Sequence, residues 1–427
     1  MARLPRLRPR LRPRLRPRSR PAGVAARLRA LVERSSEVGR QSLVALFLNS
    51  STSLVAGAVL GSITNTFERL PGLLVLVPAA IGLRGNVFSA LGNRLSTSIH
   101  AGTFRLSIRP NTLMGQNVAA SLILTLSMSL ALAVVAKLVS VGLGVADTIS
   151  VVDLAMISIL GGLLASVAVL AATMLLAAKS ARYGWDLDNV TAPLVSTLGD
   201  VLTLPALWLA TFLVDVDVVA TAVGLATIVA AVLALFSGWR SRRTLLRRII
   251  RESTPILFFA VCLSTMAGIA IEKRLSVFST FPALLMLVPA FISSAGALGG
   301  ILSSRLSTKL HLGLMAPQPI PNREARREGA LIFLLGAPVY LFNAIGAHFV
   351  ARALNEGSPG LGQMMAASLL GGALAVAFVM VIAYYGTIAS IRFGVDPDTY
   401  GIPIVTSSVD FVGAVALILV IVALGIV

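Results

Sequence analysis

Two aspartates, Asp200 and Asp410, stand in the middle of strongly apolar segments of this 427-residue chain. Counted from Asp188 and Asp398, each lies about twelve residues into its segment. At about 1.5 Å per helical residue this is roughly 18 Å, near the centre of a bilayer. A charged side chain in a membrane interior costs at least about 2.5–3.5 kcal/mol, so these two carboxylates are the first candidates for chemistry.

A pair of carboxylates inside a membrane would repel each other strongly unless they shared a proton or held a cation between them. A divalent cation removes this conflict, and hydroxyl residues precede each aspartate by about one helical turn, on the same helical face. Such an all-oxygen set suits Mg²⁺ better than Zn²⁺ or Cu²⁺. The predicted metal-binding residues are Asp200, Asp410, Ser196, Thr197, Thr406, Ser407, Asn86, Asp188 and Asp398.

The aspartates of these two segments could also have roles other than binding a metal ion. The connections that lead into the two segments hold four aspartates: Asp186, Asp188, Asp396 and Asp398. They could form an acidic vestibule that concentrates cations, or they could cap helix N-termini. Asp200 and Asp410 could instead hydrogen-bond neighbouring helices and serve packing alone.

The two central aspartates occupy equivalent positions of an internal repeat. Residues 71–102, PGLLVLVPAAIGLRGNVFSALGNRLSTSIHAG, match residues 282–313, PALLMLVPAFISSAGALGGILSSRLSTKLHLG, at a constant spacing of 211. Segments 181–200 and 391–410, which end on the aspartates, match at a spacing of 210. With about five spans in each half and one extra span at 217–237, the halves should be parallel, related by an axis along the membrane normal. A site on that axis would receive the same residue from both halves.

The composition predicts an integral membrane protein that is all-α. Hydrophobic residues make up 56% of the chain and charged residues 13%, with a mean hydropathy of +0.88, whereas a soluble domain has about 25% charged residues. Apolar runs of about 20 residues predict about eleven transmembrane helices, arranged as two five-helix repeats with a connector helix. These runs lie near 41–63, 71–92, 112–140, 149–178, 190–214, 217–237, 253–271, 282–303, 329–352, 360–388 and 401–427.

The second of these spans contains residues that disfavour a regular helix. Pro71 and Pro78 with Gly82, Gly85 and Asn86 predict an interrupted helix whose free backbone carbonyls line a pore. Close helix packing is the alternative role of the glycines. Asn86 has no polar counterpart, because Ala297 stands at its repeat position.

The net charge of +18 is concentrated at the N-terminus, where residues 1–40 hold thirteen arginines and two glutamates, a net charge of +11. Its repeat RLRPRLRPRLRPR has proline too often for a helix, which predicts a disordered tail on the cytoplasmic side that contacts anionic lipid or orients the chain. An organelle transit peptide is an alternative. This location of the charge argues against a nucleic-acid partner. Lys/Arg-rich connections alternate along the chain, which predicts a multi-pass cell-membrane protein with its C-terminus opposite the cytoplasm.

The chain is therefore predicted to consist of four regions. These are an Arg/Pro-rich tail at 1–40, a first membrane repeat at 41–214, a connector helix with a basic cytoplasmic loop at 215–251, and a second membrane repeat at 252–427. The one cysteine, Cys262, excludes a disulfide within the chain.

The doubled motif resembles that of a known family. Its residues are Leu83, Gly85, Asn86, Arg94, Leu95, Ser96 and Thr97, then Asp186, Asp188, Asn189, Pro193, Gly199 and Asp200, with a degenerate second copy that ends at Asp410. Over residues 40–427 the chain resembles the MgtE-type magnesium transporters, in particular the solute-carrier branch in which two MgtE membrane domains are fused. The resemblance implies a fused pseudo-dimer around a central cation pore with an aspartate in the last span of each unit. A single chain would then suffice, and its partners would be membrane lipid and the transported ion.

The predicted function is transport of a divalent cation, with Mg²⁺ as the leading ion and Mn²⁺ and Co²⁺ as open alternatives, rather than enzymatic catalysis. An intramembrane aspartyl protease also needs two buried aspartates, but such enzymes resemble one another in a GxGD motif, whereas Asp200 follows Thr-Leu-Gly. A carrier of a small organic cation would need aromatic walls, and only 6% of the residues are aromatic. The sequence does not separate a channel from a carrier coupled to Na⁺ or H⁺.

Overall fold

The computed structural model describes residues 24–145, 147–183, 187–311, 313, 315–392 and 402–426, and within these it contains only helices, turns and loops. The helices are α1 (Val24–Ser62), α2 (Thr64–Arg69), α3 (Leu73–His100), α4 (Leu113–Gly142), α5 (Val151–Tyr183), α6 (Leu187–Thr211), α7 (Asp217–Trp239), α8 (Thr244–Glu272), α9 (Leu275–Thr280), α10 (Pro282–His311), α11 (Arg323–Ala353), α12 (Leu361–Arg392) and α13 (Ile402–Ala423).

Ten of the described helices are long and apolar enough to cross a membrane, and α6 contributes a shorter apolar stretch, Thr197–Thr211. The predicted all-α membrane fold with about eleven spans is thereby confirmed. The order of helices also repeats, because α1 to α6 and α8 to α13 each consist of a long helix, a six-residue helix and four long helices, with α7 between the two series. The four predicted regions and their bounds stay predictions.

The N-terminal segment differs from its prediction in part. Although the sequence predicts a disordered tail up to residue 40, α1 begins at Val24. The Arg-Pro repeat ends at Pro21, and residues 24–40 contain no proline and many Ala, Leu, Arg and Glu residues, which favour a helix. The repeat itself lies outside the described residues. Among the described residues, those before Leu43 belong to one compact unit and those from Leu43 onward to a second, and the features below belong to the second.

The predicted interruption within the second span is wrong, and Pro71 lies just before the helix begins. Helix α3 runs continuously from Leu73 to His100 with Pro78 inside it, and α10 likewise contains Pro289. Pro78 lies in the second turn of α3, where its missing N–H removes one hydrogen bond near the start of the helix and the other bonds persist. The change of chain direction occurs instead at Gly72, whose φ of 89° is open to glycine at little cost.

The first helix of each half packs against the other half of the molecule. Helix α8 contacts α3 and α4, and it also contacts α13, the last helix of its own half. Helix α1 reaches α11 through Phe47, whose ring meets that of Phe342 edge-on at a centroid separation of 5.1 Å. The two halves are therefore interlocked, and neither could be removed without uncovering apolar surface of the other.

Two equivalent glycines allow this interlocking. Gly57 in α1 lies against the backbone of Met286 in α10, and Gly268 in α8 lies against the backbone of Val75 in α3, so closely that neither position has space for a Cβ atom. Both pairs are related by the repeat spacing of 211. Glycine at a helix crossing lets two backbones approach, which is a common way of packing helices in membranes.

Candidate metal site between the two halves

A cavity of about 440 Å³ lies between α3 and α10. The two helices line it with repeat-equivalent residues, which are Val77, Pro78, Ile81, Gly82 and Gly85 of α3 and Val288, Pro289, Ile292, Ser293 and Gly296 of α10. Asp200 from α6 and Asp410 from α13 both line the same cavity. The two halves thus contribute equivalent groups to one space, as expected of a site on an axis between repeats.

Asp200 accepts hydrogen bonds from both halves. The Ser53 hydroxyl of α1 donates to Oδ2 of Asp200 at 3.1 Å, and the Ser293 hydroxyl of α10 donates to the same oxygen at 3.3 Å. The amide of Asn49 donates in turn to Ser293 Oγ at 3.0 Å. The Asp200 residue is only 5% exposed. Two hydroxyl donors from different helices therefore orient this buried carboxylate.

Asp410 has the equivalent environment with one hydroxyl fewer. The Ser264 hydroxyl of α8 donates to Oδ2 of Asp410 at 2.8 Å, and Ser264 follows Ser53 at the repeat spacing of 211. Gly82 stands where the other site has Ser293, and a Cβ atom on Gly82 would lie 3.3 Å from Oδ2 of Asp410. Each aspartate is therefore bounded by the first helix of its own half and the third helix of the other.

The other predicted site residues fall into three groups. Asn86 and Thr406 line the cavity together with the aspartates. Thr197 is half-buried in α6 and Ser407 is buried in α13, and neither lines the cavity. The side chains of Ser196 and Asp188, and the whole of Asp186, Asp396 and Asp398, lie outside the described residues.

Sequence reasoning missed the serines that contact the aspartates. Ser53 and Ser264 are the same residue type at the repeat spacing in the first span of each half, so extending the repeat comparison to those spans would have found them. Ser293 carries no such signal, because its counterpart is Gly82. Asn49, whose counterpart is Ala260, is likewise visible only once the helices are packed.

The cavity is polar on one wall. Asn86, Ser89 and Asn93 line it from α3, at helical spacing toward the C-terminal end of that helix. The first two have Ala297 and Gly300 as their counterparts on α10. The opposite end, near the start of α3, is lined by aliphatic residues, namely Leu60, Leu74, Val77, Ile271 and Val288. The cavity thus has an apolar end and a polar end, with the aspartates on its wall.

This donor set suits a hydrated hard cation. Across the part of the chain that the structure describes, no three His, Cys, Asp or Glu side chains form a group that could hold a metal ion. A closed zinc site normally takes four protein ligands, whereas Mg²⁺ keeps several of its waters and takes one or two carboxylates. Carboxylate, hydroxyl and amide oxygens around a wide cavity fit the second case.

Comparison with known proteins gives two matches to one family. A family model described as "MgtE: Divalent cation transporter" matches residues 77–210 and 288–420. The two matched segments begin 211 residues apart and end 210 residues apart, and each extends from the third to the last helix of one series. They are therefore the two copies of the repeat, and each contains one of the cavity aspartates.

Similar proteins also match over most of this chain. The chain is 25% identical over 405 residues to solute carrier family 41 member 3 of Rattus norvegicus, covering 87% of this chain and 84% of that protein. It is 25% identical over 406 residues to solute carrier family 41 member 2 of Gallus gallus, covering 90% and 70%. For member 2 of Homo sapiens, the identity is 24% over 411 residues, with coverage of 91% and 70%. No solved structure matches the chain.

Proposed function

Since the chain belongs to the MgtE family of divalent cation transporters, we propose that it moves Mg²⁺ across a membrane through the cavity between α3 and α10. One observation carries this proposal: two repeat-equivalent aspartates, each accepting a hydrogen bond from a repeat-equivalent serine, line a single cavity between the halves. Asp200 and Asp410 would hold the ion. Ser53, Ser264 and Ser293 would orient the carboxylates.

The size of the cavity supports passage of a hydrated ion. A cation with six waters, at about 30 Å³ of liquid volume per water, needs roughly 180 Å³, and the cavity offers about 440 Å³. Mg²⁺ sheds its waters reluctantly, so contact through water avoids the cost of dehydration. The aspartates would therefore hold the ion by charge, with water between metal and carboxylate.

The electrostatics of the cavity explain why a divalent cation would enter it. Two carboxylates in a low-dielectric interior repel each other, and a divalent cation between them removes this repulsion. Asn86, Ser89 and Asn93 would supply oxygen atoms to the hydration shell on one side of the aspartates. Transport also requires that binding be weak enough for the ion to leave.

We propose that the polar end of the cavity opens toward the cytoplasm. The connections rich in Lys and Arg, at 94–109, 240–251 and 305–327, follow or precede helices at that same end of α3 and α10, and such connections usually remain cytoplasmic. The N-terminus would then be cytoplasmic and the C-terminus on the opposite side. Because both halves of the pore belong to one chain, a single copy in the cell membrane is sufficient.

The test is Mg²⁺ flux into proteoliposomes that contain the purified protein, with a membrane potential imposed. Asp200→Asn and Asp410→Asn should each lower the flux at least about tenfold, because each removes one of two charges that attract the ion in a low-dielectric site. Asp215→Asn is the matched control, since Asp215 lies outside the cavity and pairs at the surface with Arg69 at 3.0 Å. It should leave the flux unchanged.

Unchanged flux in both cavity variants would remove the aspartates from the mechanism. In the same vesicles, flux that follows the potential alone indicates a channel, whereas dependence on an imposed Na⁺ or H⁺ gradient indicates a coupled carrier. Competition by Mn²⁺ and Co²⁺ then measures selectivity among divalent cations.

A further inference from the structure

Arg84 is a buried charge that the proposed site does not use. It lies within the apolar span Leu73–Ile99 and is 1% exposed. Its Nη1 donates to the carbonyl of Ala80 at 2.6 Å, and its Nη2 reaches the carbonyl of Ser158 at 3.4 Å and the hydroxyl of Ser129 at 3.5 Å. Its Nε has no partner. Among the ion pairs of the described residues, none involves Arg84.

The second half fills the equivalent space without a charge. Arg84 has Ala295 as its repeat counterpart, and Ser129 has Tyr340. In the first half the Arg84 guanidinium from α3 lies over Gly162, and in the second half the Tyr340 ring from α11 lies over Gly372, which is the counterpart of Gly162. In the first half the large residue is on α3 and the small one on α4. In the second half the small residue is on α10 and the large one on α11.

The surroundings of this space are otherwise the same in both halves. The Ser158 hydroxyl donates to the carbonyl of Ser129 at 2.9 Å, and the Ser368 hydroxyl donates to the carbonyl of Tyr340 at 2.7 Å. Ser158 and Ser368 are repeat-equivalent. The fold therefore accepts a neutral ring where the first half has a guanidinium, so packing alone does not require the positive charge.

The residue that carries this charge is next to the wall of the cavity. The next two residues after Arg84, Gly85 and Asn86, line the cavity. On the α6 side, a Cβ atom on Gly199 would lie 3.5 Å from Cβ of Arg84, and Gly199 immediately precedes Asp200. The contact of α3 with α6 thus places the backbone of Arg84 beside the aspartate site, while its guanidinium lies over Gly162. Among the ion pairs of the described residues, no carboxylate is paired with this cation.

We propose that Arg84 is a fixed counter-charge that weakens cation binding at Asp200 and Asp410 and thereby permits release of the ion. This inference rests on the proposed function. In a medium of effective dielectric constant about 20, a unit charge even roughly 20 Å from a divalent ion changes the affinity for that ion about tenfold or more. A transported ion must leave as well as enter, and weaker binding speeds its departure. Arg84 would act on affinity through space, without touching the ion.

The test compares Mg²⁺ affinity with Mg²⁺ flux. The double variant Arg84→Ala/Ser129→Tyr copies the packing of the second half and removes the charge. Its Kd for Mg²⁺, measured by calorimetry on the purified protein, should fall at least about tenfold, while its maximal flux into proteoliposomes falls and its KM falls with the Kd. Arg84→Lys keeps the charge and should keep the Kd within about twofold of the unchanged protein.

The reverse exchange gives a second, independent measurement. Ala295→Arg/Tyr340→Ser places a second guanidinium behind the other wall and should raise the Kd about tenfold or more. A purely structural role of Arg84 would lower the melting temperature of the first double variant without tightening binding. If the first double variant does not fold, the reverse exchange and Arg84→Lys still decide the matter through their Kd values.

An unchanged Kd in either folded exchange variant overturns the inference. The proposed function would survive that result if Asp200→Asn and Asp410→Asn abolish Mg²⁺ binding in the same assay. If the unchanged protein binds no Mg²⁺ at all, the proposed function fails, and the inference about Arg84 fails with it.

Discussion

The two halves of the chain surround their aspartates in nearly the same way. They differ in the side-chain contacts at the C-terminal ends of α3 and α10. Around the cavity, Ser53 and Ser264 occupy equivalent positions with equivalent contacts. At the C-terminal end of α10, by contrast, Arg305 and Lys309 form an ion-pair network with α11 that has no equivalent among the described residues of the first half. The serines that contact the aspartates are thus the same in both halves, whereas the contacts at the C-terminal ends of α3 and α10 have diverged.

The C-terminal ends of α3 and α10, with the helices that pack against them, differ by a few substitutions. Glu328 pairs with Arg305 at 2.5 Å and with Lys309 at 2.7 Å. In the first half, Arg94 remains, but Asn117 replaces the glutamate and Ser98 replaces the lysine. The Nε of Arg94 and the Oδ1 of Asn117 are buried without partners. The network is therefore a stabilising contact of the second half, between α10 and α11.

The largest expected effect comes from breaking this network. Glu328→Gln should lower the free energy of unfolding by about 2 kcal/mol, because Arg305 loses its carboxylate partner and Lys309 keeps only Glu324, at 3.2 Å. This is less than the roughly 3–5 kcal/mol typical of buried pairs, because the side chains of Arg305 and Lys309 remain 27% and 25% exposed. Thermal unfolding of the purified protein in detergent measures the change.

Asn117→Ala, at the equivalent place in the first half, is the control. It removes one side-chain hydrogen bond, from Nδ2 to the carbonyl of Leu113 at 2.9 Å, and should cost about 1 kcal/mol or less. Equal losses of stability in the two variants would show that the ion pairs add nothing, and the halves would then be alike in this region too.

The spans and the aspartate pair were predictable because each gives a strong local signal. An apolar run of about 20 residues has few other uses, and a carboxylate inside such a run, repeated at a fixed spacing, is conspicuous. Which helices pack together was not predictable, because all spans are similarly apolar. The crossing of α1 with α10 depends on one small residue, Gly57, and on backbone contact at Met286.

The course of α3 shows a different limit of the sequence. Pro78 and the nearby glycines predicted a broken helix, yet one lost hydrogen bond is a small cost for a helix of 28 residues. The position of Arg84 also could not be predicted, because its burial depends on the space that Ser129 and Gly162 leave on two other helices. Local patterns identify elements well, and they identify contacts between distant elements poorly.

A smaller effect tests the equivalence of the two aspartate environments. Ser53→Ala and Ser264→Ala each remove a hydroxyl that donates to an aspartate. Because that hydrogen bond orients the carboxylate, its loss should weaken Mg²⁺ binding by about 1 kcal/mol, or roughly fivefold in affinity. The Ser264 variant should show the larger change, because Asp200 keeps the Ser293 hydroxyl at 3.3 Å, whereas Gly82 offers Asp410 no hydroxyl. Calorimetric Kd values for Mg²⁺ measure both. A larger change in the Ser53 variant would contradict this ranking of the two sites.

The smallest effect concerns the difference in the number of hydroxyl donors between the two aspartate environments. Ser293→Gly removes the second donor from Asp200 and makes that site resemble the site of Asp410, so Mg²⁺ affinity should weaken by about two- to threefold. Gly82→Ser adds the missing donor, but its Cβ would lie 3.3 Å from Oδ2 of Asp410, so crowding offsets part of the gain and the affinity should change by less than about twofold. Kd values measured for both single variants and for the double variant separate donor number from crowding. If exchanging the two residues leaves every Kd unchanged, the hydroxyl of Ser293 serves its contact with Asn49 at 3.0 Å and the packing of α10 against α1, rather than the ion.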